Sequence, residues 1–207
     1  EEQTGYSYRL FPFITDEMKE TFDIDSKETP YEEGTRSVVY TNKRNNIVYF
    51  SDTTNGLTTA KKLLQGNVDI TPEIFRIETF EVADPGKEYH NDVNKTYIRG
   101  DIFGVEMEKL QEPLDKDEEL IFDLNVHIID KYIPFDNKML KMVLQERLKA
   151  PDSEEFIIKQ KRLMEKMKDL ADKADKLNTR HEDLHSQNVM WDDNGDLRFI
   201  DLESIFM

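Results

Sequence analysis

Cysteine is absent from the chain, which excludes a disulfide scaffold, a Cys-ligated zinc finger and a thiol nucleophile, and removes any sign of an oxidising compartment. Histidine is scarce, with 4 scattered among 207 residues, so a His-rich metal site is not expected. Long hydrophobic runs are missing too. The longest, such as Ile47-Val48-Tyr49-Phe50, fall far short of the roughly 20 apolar residues that span a bilayer. No basic stretch followed by an apolar one opens the chain as a secretion signal would, so the expectation is a cytoplasmic protein without a membrane partner. Positive charge is in deficit, with 28 Lys plus Arg against 44 Asp plus Glu and a formal net charge of −16. Such a surface repels a nucleic-acid backbone unless a basic patch is segregated. No nucleic-acid partner is expected, and the acidity reads as solubility rather than DNA mimicry.

What is present suffices for a core. A hydrophobic fraction of 37% with 12 Phe, 8 Tyr and 8 Met sets the chain apart from disordered sequences, and its length suits one medium domain or two small lobes. Residues 1 to about 110 carry β-branched and aromatic runs between turn signals: Ser37-Val38-Val39-Tyr40, the Asn45-Asn46 turn, the run from Ile47 to Phe50, then residues 74–82 and 97–107. A short helix over about 58–65, stopped by Gly66, falls between the second and third runs. This half reads as a small antiparallel sheet with one helix.

From Asp115 the spacing turns helical, with Leu120, Ile121, Leu124 and Ile128 on one face and Met139, Leu140, Val143 and Leu144 on another. The longest helix is predicted to start at Asp152, where Asp152-x-x-Glu155 reads as a capping box after Pro151. Phe156, Leu163, Met167, Leu170, Ala174 and Leu177 form its apolar stripe. A coiled coil would need more heptads. Beyond it, Asn194-Gly195 between Val189-Met190-Trp191 and Leu197-Arg198-Phe199-Ile200 is a strong hairpin signal. The acidic residues there lack the spacing and distal Glu of a calcium loop.

Asp183, Asn188 and Asp201 flank this hairpin at intervals of 5 and 13 residues. An Asp can orient and deprotonate an attacking hydroxyl, while an Asn amide oxygen and a second carboxylate are hard ligands suited to magnesium on nucleotide phosphates. The stretch His181-Glu182-Asp183 through Asn188, followed by Ile200-Asp201, resembles the catalytic loop and metal-binding Asp of the protein-kinase-like superfamily. Glu33-Gly34-Thr35-Arg36-Ser37-Val38-Val39-Tyr40 resembles the second half of a kinase phosphate-binding loop, and Val105 to Leu110 resembles the hinge between lobes. Asp183-Leu184-His185-Ser186-Gln187-Asn188-Val189-Met190 and Asn194-Gly195-Asp196 are similar to minimal bacteriophage-encoded serine/threonine kinases, and also to truncated kinases injected by enteric bacteria.

The resemblance implies an α+β kinase-like fold, with an extension over 1–30, a small antiparallel N-lobe with one helix over 31–110, and a truncated helical C-lobe over 111–207. It implies ATP and Mg2+ as cofactors, Asp183 as the catalytic residue, and Asn188 and Asp201 as metal ligands. Gly34, Ser37, Val39, Glu108 and Leu110 would meet the nucleotide, with Met107 as gatekeeper. It further implies a host protein as substrate or activating partner in a host cytoplasm. Departures are evident. The third strand lacks the expected lysine and the following helix lacks its glutamate, leaving Lys61 or Lys62, with Lys43 and Arg44 nearby, to supply the charge. Glu182 stands where many kinases carry Arg, and only six residues follow Asp201. Two other readings stay open: a pseudokinase that binds nucleotide or a partner, and a small-molecule kinase of the aminoglycoside or choline type.

Overall fold

Two asparagine-containing turns set the register of both principal hairpins in the computed structural model of this chain. The structure describes residues 10, 13–33, 37–66, 69–82, 88–90, 95–97, 101–110, 112–130 and 138–207. They fall into two compact units, one of Glu1–Asn67 with Glu73–Lys109, the other of Val68–Pro72 with Leu110–Met207. Both combine helices with small antiparallel sheets, an α+β chain.

The first unit begins with α1 (Asp16–Thr21), whose first turn is closed by Thr15 accepting the Met18 N–H at 3.2 Å. Then come β1 (Glu32–Glu33), β2 (Ser37–Thr41) and β3 (Ile47–Ser51). Asn45 takes the left-handed conformation at φ 62°, which asparagine tolerates, so Thr41 pairs with Ile47 and Ser37 with Ser51. After α2 (Thr54–Gly66) come β4 (Ile74–Phe80), β5 (Glu88–His90), β6 (Lys95–Tyr97) and β7 (Ile102–Met107). The five-stranded sheet runs β1-β2-β3-β7-β4, and β5 pairs with β6 separately. The run expected over 97–107 is thus divided, and β4 ends at Phe80. Helix α2 starts four residues before the expected position, just after a turn in which the Ser51 hydroxyl accepts the Thr53 N–H at 3.2 Å.

One face of this sheet carries Val38, Tyr40, Val48, Phe50 and Ile102, all buried with Met18, Phe22 and Ile24 from α1 and the residues after it. Gly104 is required here. A Cβ on it would lie 2.7 Å from Phe22 Cζ and 2.9 Å from Phe50 Cε1. Phe13 packs against the same cluster.

The second unit contains β8 (Glu112–Pro113), α3 (Lys116–Asn125), α4 (Lys138–Arg147), α5 (Ser153–Lys176), β9 (Arg180–His181), β10 (Val189–Trp191), β11 (Leu197–Phe199) and β12 (Ile205–Phe206). Strands β11-β10-β8 form one sheet and β12-β9 another. Ile121, Phe122 and Leu124 of α3 and Phe156, Leu163, Met167 and Leu170 of α5 supply the core. Leu177, expected on the α5 stripe, is its C-cap and is 37% exposed. On α4, Met139 is 74% exposed and Val143 also faces solvent.

The capping box is on a different helix from the expected one. Asp152 precedes α5 but makes no side-chain cap, because its carboxylate binds the Arg147 guanidinium at 2.5 and 3.0 Å. An ionic, two-point pairing outcompetes a backbone N–H. The capping box belongs to α3, where Asp115 accepts from Asp117 N–H and Glu118 N–H while Glu118 accepts the Asp115 N–H. No helix among the described residues is long and apolar enough to cross a membrane.

Candidate active site

The loop from Asp183 to Asn188 is held at both ends by backbone pairing. Upstream, β9 pairs with β12, His181 opposite Ile205, and the Glu182 N–H donates to Ser204 C=O at 2.8 Å. Downstream, a 3-10 turn over Ser186–Asn188 leads into β10. Its middle is anchored from α3. Asp123 accepts the Ser186 N–H at 2.8 Å and the Ser186 hydroxyl at 3.1 Å. Asp123 is a site-positioning residue that the spacing argument passed over; its signal is a carboxylate set inside the apolar run Leu120-Ile121-Phe122-Asp123-Leu124.

Within the loop, the Asp183 carboxylate projects outward, 72% exposed, with Oδ2 3.7 Å from His185 Nε2. Asn188 Nδ2 donates to the Asp183 C=O at 2.7 Å and lies 3.0 Å from His185 Nε2. The Asn188 C=O accepts the Ile200 N–H at 3.1 Å, which sets Asp201 one residue beyond that link. Asp201 caps the short turn after it, Oδ1 accepting the Glu203 N–H at 3.1 Å and Oδ2 the Ser204 hydroxyl at 2.6 Å. The three residues singled out by spacing are therefore brought together in one unit.

His181 is buried at 2% exposure with its ring centroid 5.0 Å from that of Phe199. Burial pushes its pKa below the ordinary value, against the raising influence of Asp201 and Asp183. Both ring nitrogens are sealed from solvent without hydrogen-bond partners, so His181 is a packed neutral ring rather than a base. His181 also lines a pocket of about 290 Å³, together with Ile129, Asp130, Ala174, Asn178 and Leu184 among others.

The hairpin that carries Asp201 is braced by an ionic network. Gly195 adopts φ 73°, and Trp191 pairs with Leu197. Asp192 accepts the Asn194 and Asp196 N–H groups at 2.9 and 2.8 Å and binds Arg198 at 2.9 and 2.5 Å. Arg198 also holds the Asp69 carboxylate and donates to its C=O at 2.6 Å. Burial alone would raise the Asp192 pKa, but the Asp196 N–H and the Arg198 guanidinium outweigh it and hold the carboxyl below the usual range.

The residues expected to meet the nucleotide lie on several elements. Ser37 and Val39 share the β2 face opposite Val38 and Tyr40, and Ser51 of the lysine-free β3, directly across from Ser37, is fully buried. Lys61 and Lys62 are exposed on α2, whose buried residues are Gly56, Thr59, Ala60 and Leu63. Arg44 is committed to Glu106 at 2.8 Å and Asp23 at 3.2 Å. The buried Glu106 also accepts from Asn42 and Asn46 at 2.7 and 2.8 Å. The Glu108 N–H donates to Glu73 C=O at 2.9 Å. Met107 and Leu110 are buried, and Gly34 lies outside the described residues.

No cluster of three or more His, Asp or Glu side chains arranged for a metal occurs among the described residues. The Asn188 and Asp201 oxygens are a two-ligand set, which suits magnesium when phosphates and water complete its shell. No protein-family model matches the chain, and no curated protein matches it at a significant level.

Proposed function

We propose that this protein is a kinase-like phosphotransferase that uses ATP and magnesium to phosphorylate Ser or Thr hydroxyls of a protein substrate. The observation that carries the reading is the loop geometry: an outward Asp183 carboxylate, an Asn188 amide tied by its nitrogen to the Asp183 carbonyl, and Asp201 one residue past the Asn188–Ile200 link. Among the described residues, Asn188 Oδ1 has no protein partner. It and Asp201 would hold magnesium, which supplies charge neutralisation at the phosphates when bound. Asp183 would accept the substrate hydroxyl proton as that oxygen bonds to the terminal phosphorus and the bond to the ADP oxygen breaks. Orientation of the two reactants and neutralisation of the phosphate charge account for most of the acceleration in such a scheme. An antiparallel sheet with α2 between its third and fourth strands in the first unit is compatible with a kinase N-lobe, and a cytoplasmic host protein remains the proposed substrate or activating partner.

One observation favours a second reading, a nucleotide-binding module without transfer. Strand β3 carries no lysine, Arg44 is engaged by Glu106, and Lys61 and Lys62 are exposed on α2, so among the described residues the usual cation on the α- and β-phosphates has no evident substitute. Radiolabelled transfer from ATP to proteins of a bacterial lysate separates the two. Labelling by the parent and none by Asp183→Ala or Asp201→Ala supports transfer. Labelling that persists in both variants, or its absence in the parent, overturns it. Magnesium-dependent stabilisation by ATP without labelling supports the binding module.

A further inference from the structure

Hydrogen-bond direction in the loop assigns a proton. The Asp183 carbonyl can only accept, so the Asn188 atom 2.7 Å from it is the amide nitrogen. The second hydrogen of that NH2 group turns toward His185 Nε2, 3.0 Å away. Two N–H groups do not face each other at that separation, so Nε2 must be the bare nitrogen and Nδ1 must carry the hydrogen. Which ring nitrogen is protonated is set by the bond the other one makes.

Two other groups face the ring. The Gln187 N–H lies 3.3 Å from Nδ1 and would favour the opposite tautomer, but a neutral imidazole has one acceptor and the shorter contact comes from a donor already fixed by a carbonyl. The turn fixes the direction of the Gln187 N–H, so the imidazole yields there by a small rotation, and because Gln187 is exposed water can take that N–H in its place. Asp183 Oδ2, at 3.7 Å from Nε2, is beyond hydrogen-bond reach. The backbone is pinned on either side, by Asp123 on Ser186 and by the Asn188 N–H donating to His185 C=O at 3.0 Å.

We propose that His185, as the Nδ1–H tautomer, is a positioning residue that locks the Asn188 amide with its nitrogen inward and Oδ1 outward. Two acceptors, the Asp183 carbonyl and His185 Nε2, take both amide hydrogens, so a flipped amide would set its oxygen against a carbonyl and a bare nitrogen. The lock therefore presents one hard oxygen in one direction. That this oxygen serves magnesium rests on the phosphotransferase reading; the tautomer and the lock do not.

Two measurements on the full chain test these parts separately. Long-range proton–nitrogen correlation of the 15N-labelled protein without nucleotide, at about pH 8.5 where imidazole is ordinarily neutral, should show His185 with hydrogen on Nδ1, its signals assigned by their loss in His185→Gln. Asn188→Ala should return the ring toward the Nε2–H form. An Nε2–H ring in the parent overturns the proposal. The second measurement is the magnesium concentration giving half the ATP-induced rise in Tm. Supporting residues behind a metal ligand are commonly worth 10–100-fold in affinity, so His185→Ala and His185→Asn, which reaches only the Nδ1 position, should raise it at least about tenfold. His185→Gln, which returns an acceptor near Nε2, should stay within about twofold of the parent, well inside that range. Equal weakening of all three variants, or of none, overturns the lock. A parent with no magnesium-dependent response overturns the phosphotransferase reading instead, while the tautomer result still decides the proposal.

Discussion

Arg198 illustrates how one side chain can set both stability and its pH dependence. Its guanidinium joins the Asp192 turn of the hairpin to Asp69, a residue distant in sequence. Arg198→Met would leave the Asp192 carboxylate buried without its cation, at a cost of about 3–5 kcal/mol at neutral pH. The sign of the pH effect follows from the carboxylate. In the parent its pKa is lowered against burial by the Asp196 N–H and by Arg198; without Arg198 it rises from that lowered position, so acid costs the variant less than the parent. Urea denaturation at pH 7 and near pH 4 should show the deficit of Arg198→Met shrinking with acid; a deficit that grows would contradict this account. His181 works in the other half of the pH range. Its pKa is depressed by burial, so the unfolded state binds more protons below about pH 6.5 and stability falls as pH drops through that region. His181→Phe removes the titrating ring and two unpartnered nitrogens, and its stability between pH 7 and 5 should be nearly flat.

At the level of elements, charged side chains decide how the helices of the second unit begin. Asp115 closes α3 by accepting two backbone N–H groups and also binds Lys159 of α5 at 2.7 Å. Asp115→Ala should lower unfolding free energy by about 1 kcal/mol for the lost cap, read from the urea midpoint at constant slope. Substitution by Asn, which can still cap, should recover most of it. Asp152 looks equivalent in sequence, yet Arg147 draws it away, linking α4 to the start of α5 and, through Asp117, to α3. Local sequence offers two good capping signals. Only the position of a guanidinium thirty residues from Asp117 determines which one caps.

For the whole molecule, acid sensitivity is the sharpest expectation. Asp69 and Asp115 are held below the usual carboxylate range despite partial burial, by Lys173 with Arg198 and by Lys159 with the α3 backbone respectively; Asp152 is lowered by Arg147 and Asp192 by its turn and Arg198. All four release protons more readily folded than unfolded. Their stabilisation is complete above about pH 5 and is lost as pH falls below about 4, where the folded groups begin to protonate. Denaturation of His181→Phe across pH 7 to 3 should therefore retain a steep loss below about pH 4 while lacking the shallower one that begins near pH 6.5. A single smooth decline in the parent, unchanged by the substitution, would refute this division.

Much of the local plan was legible because short-range rules govern it. Asn45 and the Asn194-Gly195 pair marked the hairpins, β-branched and aromatic runs marked β2 and β3, and the apolar spacing of α5 marked its buried face from Phe156 to Ala174. The spacing of Asp183, Asn188 and Asp201 was enough to keep them in one unit, since a 3-10 turn and a tight hairpin leave little freedom between them. What the sequence could not determine depends on residues far apart in the chain. Arg147 reassigns Asp152, Asp123 anchors Ser186, Asp69 joins Arg198, and Glu106 occupies Arg44. Each is a charge choosing among several partners, a choice made by proximity after packing, and no period or motif records it.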